Sequence, residues 1–173
     1  MDRDERDILE ALDAAVRAAA AAIEPIVASV DRKLRERPGN VLAWEAIPLD
    51  CYEARLPASI QSSWVFVLRA DVATGAERHP NSHQRMVSYR GHGDFQTRPD
   101  REWRSHHLTS DPSAPLEARW ISIPPNVWHQ GVVGPGDWAV VSFHTVPEHE
   151  LIEERPATEA GAPTHQRKYS DGG

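Results

Sequence analysis

The sequence predicts a mainly β domain that carries an N-terminal helical extension. Three observations predict it. Apolar residues within 3–36 recur mostly three and four apart, the spacing of one helix face. From Val41 the pattern changes to short runs rich in Val, Ile, Trp, Phe and Tyr. Fourteen prolines in 173 residues punctuate the chain, as a succession of short strands and turns requires.

The extension, residues 1–38, is built on Ile8, Leu9, Leu12, Val16, Ala19, Ile23, Ile26, Val27, Val30 and Leu34, one apolar stripe along an alanine-rich segment. Pro25 lacks an amide hydrogen and its ring crowds the preceding turn, so it predicts a break or kink near Glu24. Arg37-Pro38-Gly39-Asn40 ends the helix. Candidate strands follow at 41–48, 62–70, 73–79, 84–90, 102–109, 117–123 and 138–146. Among their turn signals are Gly75, Pro80-Asn81, Gly91-His92-Gly93, Asp111-Pro112 and Gly134-Pro135-Gly136. Short strands at this spacing predict a sandwich or small barrel over residues 41–150. Beyond Pro147 the chain turns acidic, then small and polar, and residues 155–173 predict a mobile tail.

Composition narrows the function. Asp plus Glu is 26 against 19 for Lys plus Arg, a net charge of −7 that lacks the basic footprint of a nucleic-acid binder. No run of about 18 apolar residues predicts a membrane helix, and the opening MDRDERDILE offers no apolar stretch for a leader peptide. One cysteine, Cys51, excludes an internal disulfide and a Cys-based zinc ribbon. That cysteine usage points to a reducing compartment, the cytoplasm. Phosphate-loop and nucleophile-elbow motifs are absent.

The chemistry-bearing segment is Glu77-Arg-His79-Pro-Asn-Ser82-His83-Gln84, which ends at Gly91. On an extended chain Glu77 and His79 have the same parity and share a face. Pro80 and Asn81 oppose a helix between His79 and His83 and favour a turn that brings His83 back. A third histidine, His129, follows Pro124-Pro125-Asn126-Val127-Trp128. Three imidazoles, with or without the Glu77 carboxylate, suit a first-row transition metal with open positions.

These residues resemble the two motifs of the cupin superfamily, G-x5-H-x-H-x(3–4)-E-x6-G and P-x-G-x2-H. His79 matches the second histidine of the first motif and Glu77 takes the place of its first. The acidic position falls on His83 or on Gln84, and Gln84 has the right spacing to Gly91. His129 matches the second motif, with Asn126 where glycine is usual. The resemblance covers about residues 62–146. More weakly, the same stretch and Ser142-Phe143-His144 resemble the thiol dioxygenase branch, with Val146 standing where that branch has tyrosine. The resemblance implies a double-stranded β-helix, or jelly-roll barrel, with a metal inside it.

From the motifs and the resemblance together, the expected ligands are His79, His83, His129 and Glu77, with Gln84 and His144 orienting substrate or moving a proton. The expected ion is divalent, iron(II) foremost, with zinc, nickel or manganese as alternatives. The expected reaction is O₂-dependent oxidation of a small polar thiol- or amino-acid-like molecule. The alternatives are a lyase or isomerase using the ion as Lewis acid, and a non-catalytic ligand-binding barrel. Arg69 and Arg85 are candidates for holding a substrate carboxylate. Trp44 and Ile47, near an edge strand, suit a homodimer.

Overall fold

The computed structural model describes residues 2–53, 55–157 and 165–168. The extension forms two helices, α1 (Arg3–Ala18) and α2 (Ala20–Glu36). Asp2 caps α1 by accepting the Glu5 amide at 2.8 Å. The break falls at Ala19, not at Glu24, and Pro25 lies within α2. Pro25 removes one amide donor from α2 without ending it, and the helix runs on to Glu36.

Ten strands follow: β1 (Leu42–Ala46), β2 (Ser62–Leu68), β3 (Gln84–Arg90), β4 (His92–Arg98), β5 (Arg104–Thr109), β6 (Trp120–Ile123), β7 (Trp128–Val132), β8 (Trp138–His144), β9 (Ile152–Arg155) and β10 (His165–Lys168). They form a five-stranded sheet in the order β1-β2-β8-β3-β6, a three-stranded sheet β5-β4-β7, and the pair β10-β9, all antiparallel. The larger sheet is buried on both faces. Val65, Val67, Val87, Ala139, Val141 and Phe143 point outward into one core with Leu9, Leu12, Val16, Ile23, Val27, Val30 and Leu34 of the helices. Leu68, Met86, Ile121, Ile123, Trp138 and Val140 point inward and meet Phe95 and Leu108 of the smaller sheet. Every residue of β8 is accordingly buried, which is why it reads as a nearly unbroken apolar run. No helix among the described residues is long and apolar enough to cross a membrane.

Two acidic side chains tie α1 to the sheet. Glu5 accepts two bonds from Arg85, each at 2.7 Å. Asp13 accepts from both terminal nitrogens of Arg119 and from Trp120 Nε1. Arg85 is thereby occupied, and Arg69 donates to the Leu34, Arg37 and Asn40 carbonyls at the end of α2. Neither faces the barrel interior.

The structure departs from the predicted strands in four places. Residues 73–79 make only isolated bridges, Ala73 to Val132, Glu77 to His129 and Arg78 to Glu154. Strand β4 starts at His92, where the two glycines suggested a turn. Gly91, with φ +88°, makes the turn, while Gly93 lies under Trp138, whose ring atoms would sit 2.3 Å from an added Cβ. Strand β7 carries His129 between β4 and Glu77. Finally, residues 152–155 and 165–168 pair as strands where a tail was predicted from 155 onward; the rest of that stretch, 158–164 and 169–173, lies outside the described residues.

The Trp138 contact yields a stability test. Gly93→Ala should lower the unfolding free energy by about 1–3 kcal/mol, the usual cost of overpacking a full core, measured by urea denaturation. A change below about 0.5 kcal/mol would show that the ring moves aside freely.

Candidate metal centre

The site begins with two backbone bonds. The Glu77 amide donates to the His129 carbonyl at 2.9 Å and the His129 amide donates to the Glu77 carbonyl at 2.8 Å. Residues exchanging both bonds present their side chains on the same side, so the carboxylate and the imidazole face each other. Glu77 Oε1 lies 3.6 Å from His129 Nε2. His79, two residues on, shares Glu77's parity and joins them. The ligand atoms of Glu77, His79 and His129 all lie within 4.8 Å of one another.

Each imidazole is held from behind. His79 Nδ1 is 2.9 Å from the Ile152 carbonyl and His129 Nδ1 is 3.0 Å from the Val127 carbonyl. A carbonyl only accepts, so both Nδ1 atoms carry a proton, and Nε2 is the nitrogen of each ring left to meet an ion. His129 Nε2 is buried and has no hydrogen-bond partner among the described residues. Phe95 stacks on the His129 ring, with centroids 5.6 Å apart. Asn126 completes the frame: it adopts φ +66°, and its amide donates to the His79 carbonyl at 3.0 Å. Asparagine is among the few non-glycine residues that tolerate this left-handed conformation, so it can replace the usual glycine of the motif.

The fourth partner was not expected. Arg155, on β9, donates to Glu77 Oε2 at 2.7 Å and to Glu153 Oε1 at 2.6 Å. Burial pushes against ionisation of Glu77, but the neighbouring His129 and His79 imidazoles and Arg155 outweigh it and bring its pKa down to about 2. Burial, and then the nearby His129, lower His79 to about 4 against the pull of Glu77. Burial, with His79 and His129 beside it, holds His144 well below the usual imidazole range. An ionised carboxylate beside the neutral His79 imidazole suits a divalent ion.

The other expected residues separate into two groups. His83 does not join the cluster: its ring faces outward, where Nε2 lies 2.7 Å from Ser122 Oγ, which donates in turn to Glu5. Its side chain follows the parity of Arg85, not that of Gln84. His144 and Gln84 lie on the inner face. The His144 ring is edge-on to His79, centroids 5.0 Å apart, and its nitrogens contact Ser82 and Ser142. Gln84 lines a cavity of about 60 Å³, whose walls include Trp44, Phe66, Met86, Phe95, Glu77 and Arg155. Trp44 is therefore a cavity-wall residue, and Ile47 is buried. Arg155 carried no legible signal, since Glu153-Glu154-Arg155 has no apolar alternation and reads as a polar tail.

No protein-family model matches the chain, and no curated protein matches it. Solved structures do. The coconut allergen cocosin is 18% identical, with TM-score 0.50 over 70% of this chain and 31% of its own. The capsular polysaccharide assembling protein CapF from Staphylococcus aureus is 13% identical, with TM-score 0.47 over 61% of this chain and 28% of its own. An oxalate oxidase in complex with the substrate analogue glycolate is 12% identical, with TM-score 0.47 over 62% of this chain and 52% of its own. The match thus spans from about a quarter to about half of those chains. At such identities the likeness concerns the fold alone: a cupin-type β-barrel with an N-terminal helical extension. These structures do not show the thiol dioxygenase resemblance.

The electrostatics predict acid sensitivity of the metal-free protein. His79 and His144 stay neutral in the folded chain while their unfolded counterparts protonate near 6.5, so stability falls as pH drops from 7 toward 4. Glu77 acts in the same direction further down, its contribution being lost as pH falls from 4.5 toward 2. Unfolding free energies from urea denaturation between pH 7 and 4 should decline by up to about 1.4 kcal/mol per pH unit for each such imidazole. A flat profile over that range would contradict the neutral-imidazole assignment.

Proposed function

We propose that this chain is a metal-dependent enzyme in which Glu77, His79 and His129 hold a divalent ion, iron(II) foremost, and that it oxygenates a small polar molecule. The observation that carries this reading is the triad itself, with its ligand atoms within 4.8 Å and the buried His129 Nε2 without a hydrogen-bond partner among the described residues. Two imidazoles and one carboxylate are the donor set of non-haem iron oxygenases, which leaves positions open for substrate and O₂. Bound there, the ion would supply O₂ activation, or Lewis-acid polarisation of the substrate.

The chain's own residues support that chemistry. The Ile152 and Val127 carbonyls fix both ring orientations, and such partners raise ligand basicity. Arg155 holds Glu77 Oε2, which keeps the carboxylate ionised and leaves Oε1 on the side of His129. His144 packs against His79 as a neutral ring and places no competing charge there. Phe66, Met86, Phe95 and Val140 line the cavity with apolar surface. Its volume, about 60 Å³, suits a small substrate.

The test is metal content by elemental mass spectrometry after anaerobic reconstitution with iron(II), on the full chain and on His129→Ala, with O₂ uptake followed on small amino and hydroxy acids and thiols. About one iron per chain, depleted at least tenfold in the variant, together with substrate-dependent O₂ uptake, is expected. Zinc retention with O₂-independent turnover would replace oxygenation by a Lewis-acid lyase or isomerase. A wild-type chain that binds no ion overturns the reading.

A further inference from the structure

Gln84 is 5% exposed, lines the cavity, and has an Oε1 that is buried without a hydrogen-bond partner among the described residues. Buried amide oxygens are nearly always paired, so this one marks a place where a ligand is expected to donate. The orientation of the amide follows from a chain of bonds that runs one way. Ser82 Oγ donates to the His83 carbonyl at 3.3 Å and accepts the Thr145 amide at 3.1 Å. Its proton is committed, so the contact of 3.2 Å with His144 requires His144 Nδ1 to donate. With the imidazole proton on Nδ1, Nε2 is the accepting nitrogen, and Ser142 Oγ, 3.0 Å away, donates to it. Ser142 then accepts from Gln84 Nε2, at 3.1 Å. Every proton is assigned, and what remains toward the cavity is an acceptor.

We propose that Gln84 is the specificity-determining residue of the cavity: its Oε1 accepts a hydrogen bond from a hydroxyl or amino group of a small substrate, and Ser142 and His144 are positioning residues that stop the amide from flipping. This names the substrate class of the proposed enzyme as hydroxy- or amino-bearing and rests on that reading for the cavity being the substrate site. A site with a committed acceptor discriminates against ligands that lack the donor, because the acceptor is then left unpaired.

The test uses two small isosteric probes, propan-2-ol, which donates, and acetone, which only accepts. Each is titrated into the full chain, as purified and after chelation of metal, and followed by NMR shifts of cavity residues. Propan-2-ol should bind roughly tenfold more tightly than acetone. The ratio should fall to about one in Gln84→Met, which keeps the volume, and should shrink in Ser142→Ala, which frees the amide. Equal binding to the wild-type chain, a ratio unchanged in Gln84→Met, tighter binding of acetone, or no shift of cavity residues with either probe would each overturn the proposal. The chelated arm needs no ion. Failure of metal uptake with the ratio intact therefore refutes only the metal reading, and loss of the ratio with metal uptake intact refutes only the role of Gln84.

Discussion

The exchange of amide bonds between Glu77 and His129 is the constraint on which the site depends. Glu77 belongs to no regular strand, and this exchange, with the Thr74–Gly131 bonds and the Ala73–Val132 bridge before it, sets its register against β7. On its other side Arg78 exchanges amide bonds of 3.0 and 2.9 Å with Glu154. Two consecutive residues thus join β7 to β9, and the join delivers Arg155 to Glu77. A slip of one residue would turn Glu77 and His79 away from His129 together, because extended side chains alternate. The Asn126 amide on the His79 carbonyl opposes that slip from the other end.

The polar cluster is not explained by stability. Glu77, Arg155 and Glu153 form a chain of ion pairs at 2.7 and 2.6 Å, and Glu153 is 1% exposed. Desolvation of such groups consumes most of their mutual attraction, and apolar residues of similar volume are commonly as stable or more so. The same holds for the His129 imidazole stacked on Phe95. The surrounding core has the aromatic and aliphatic material to be dry throughout, yet it keeps two carboxylates, a guanidinium and three imidazoles together. Ligand chemistry supplies a reason that packing does not.

Much of the barrel was legible because its strands obey local rules. The β-branched and aromatic runs marked β2, β3, β6 and β8, and parity placed Glu77 beside His79 from spacing alone. The misses share one cause: they are settled by non-local contacts. Gly93 looks like a breaker until Trp138 is seen lying across it. Arg155 looks like tail until Arg78 pairs with Glu154. The helix break falls at Ala19, within a run of alanines that gives no local mark of it.

His79 and His83 show how far spacing can lead and where it stops. They are four residues apart on either side of a turn, and both suit a metal motif. What separates them is the second face of the larger sheet. In a sandwich open to water on that side, an outward His83 would be an ordinary surface residue. Here α1 covers that face, and its Glu5 gathers Arg85 and Ser122, with His83 bonded to Ser122. The lone pair or proton of His83 Nε2 is used in that contact, so the ring serves the docking of the helix. The inward alternatives at the same turn, His79 before it and Gln84 after it, line the interior instead. The helical extension therefore does more than bury apolar surface: by claiming the outward histidine, it reduces a three-histidine motif to a site of two histidines and a carboxylate.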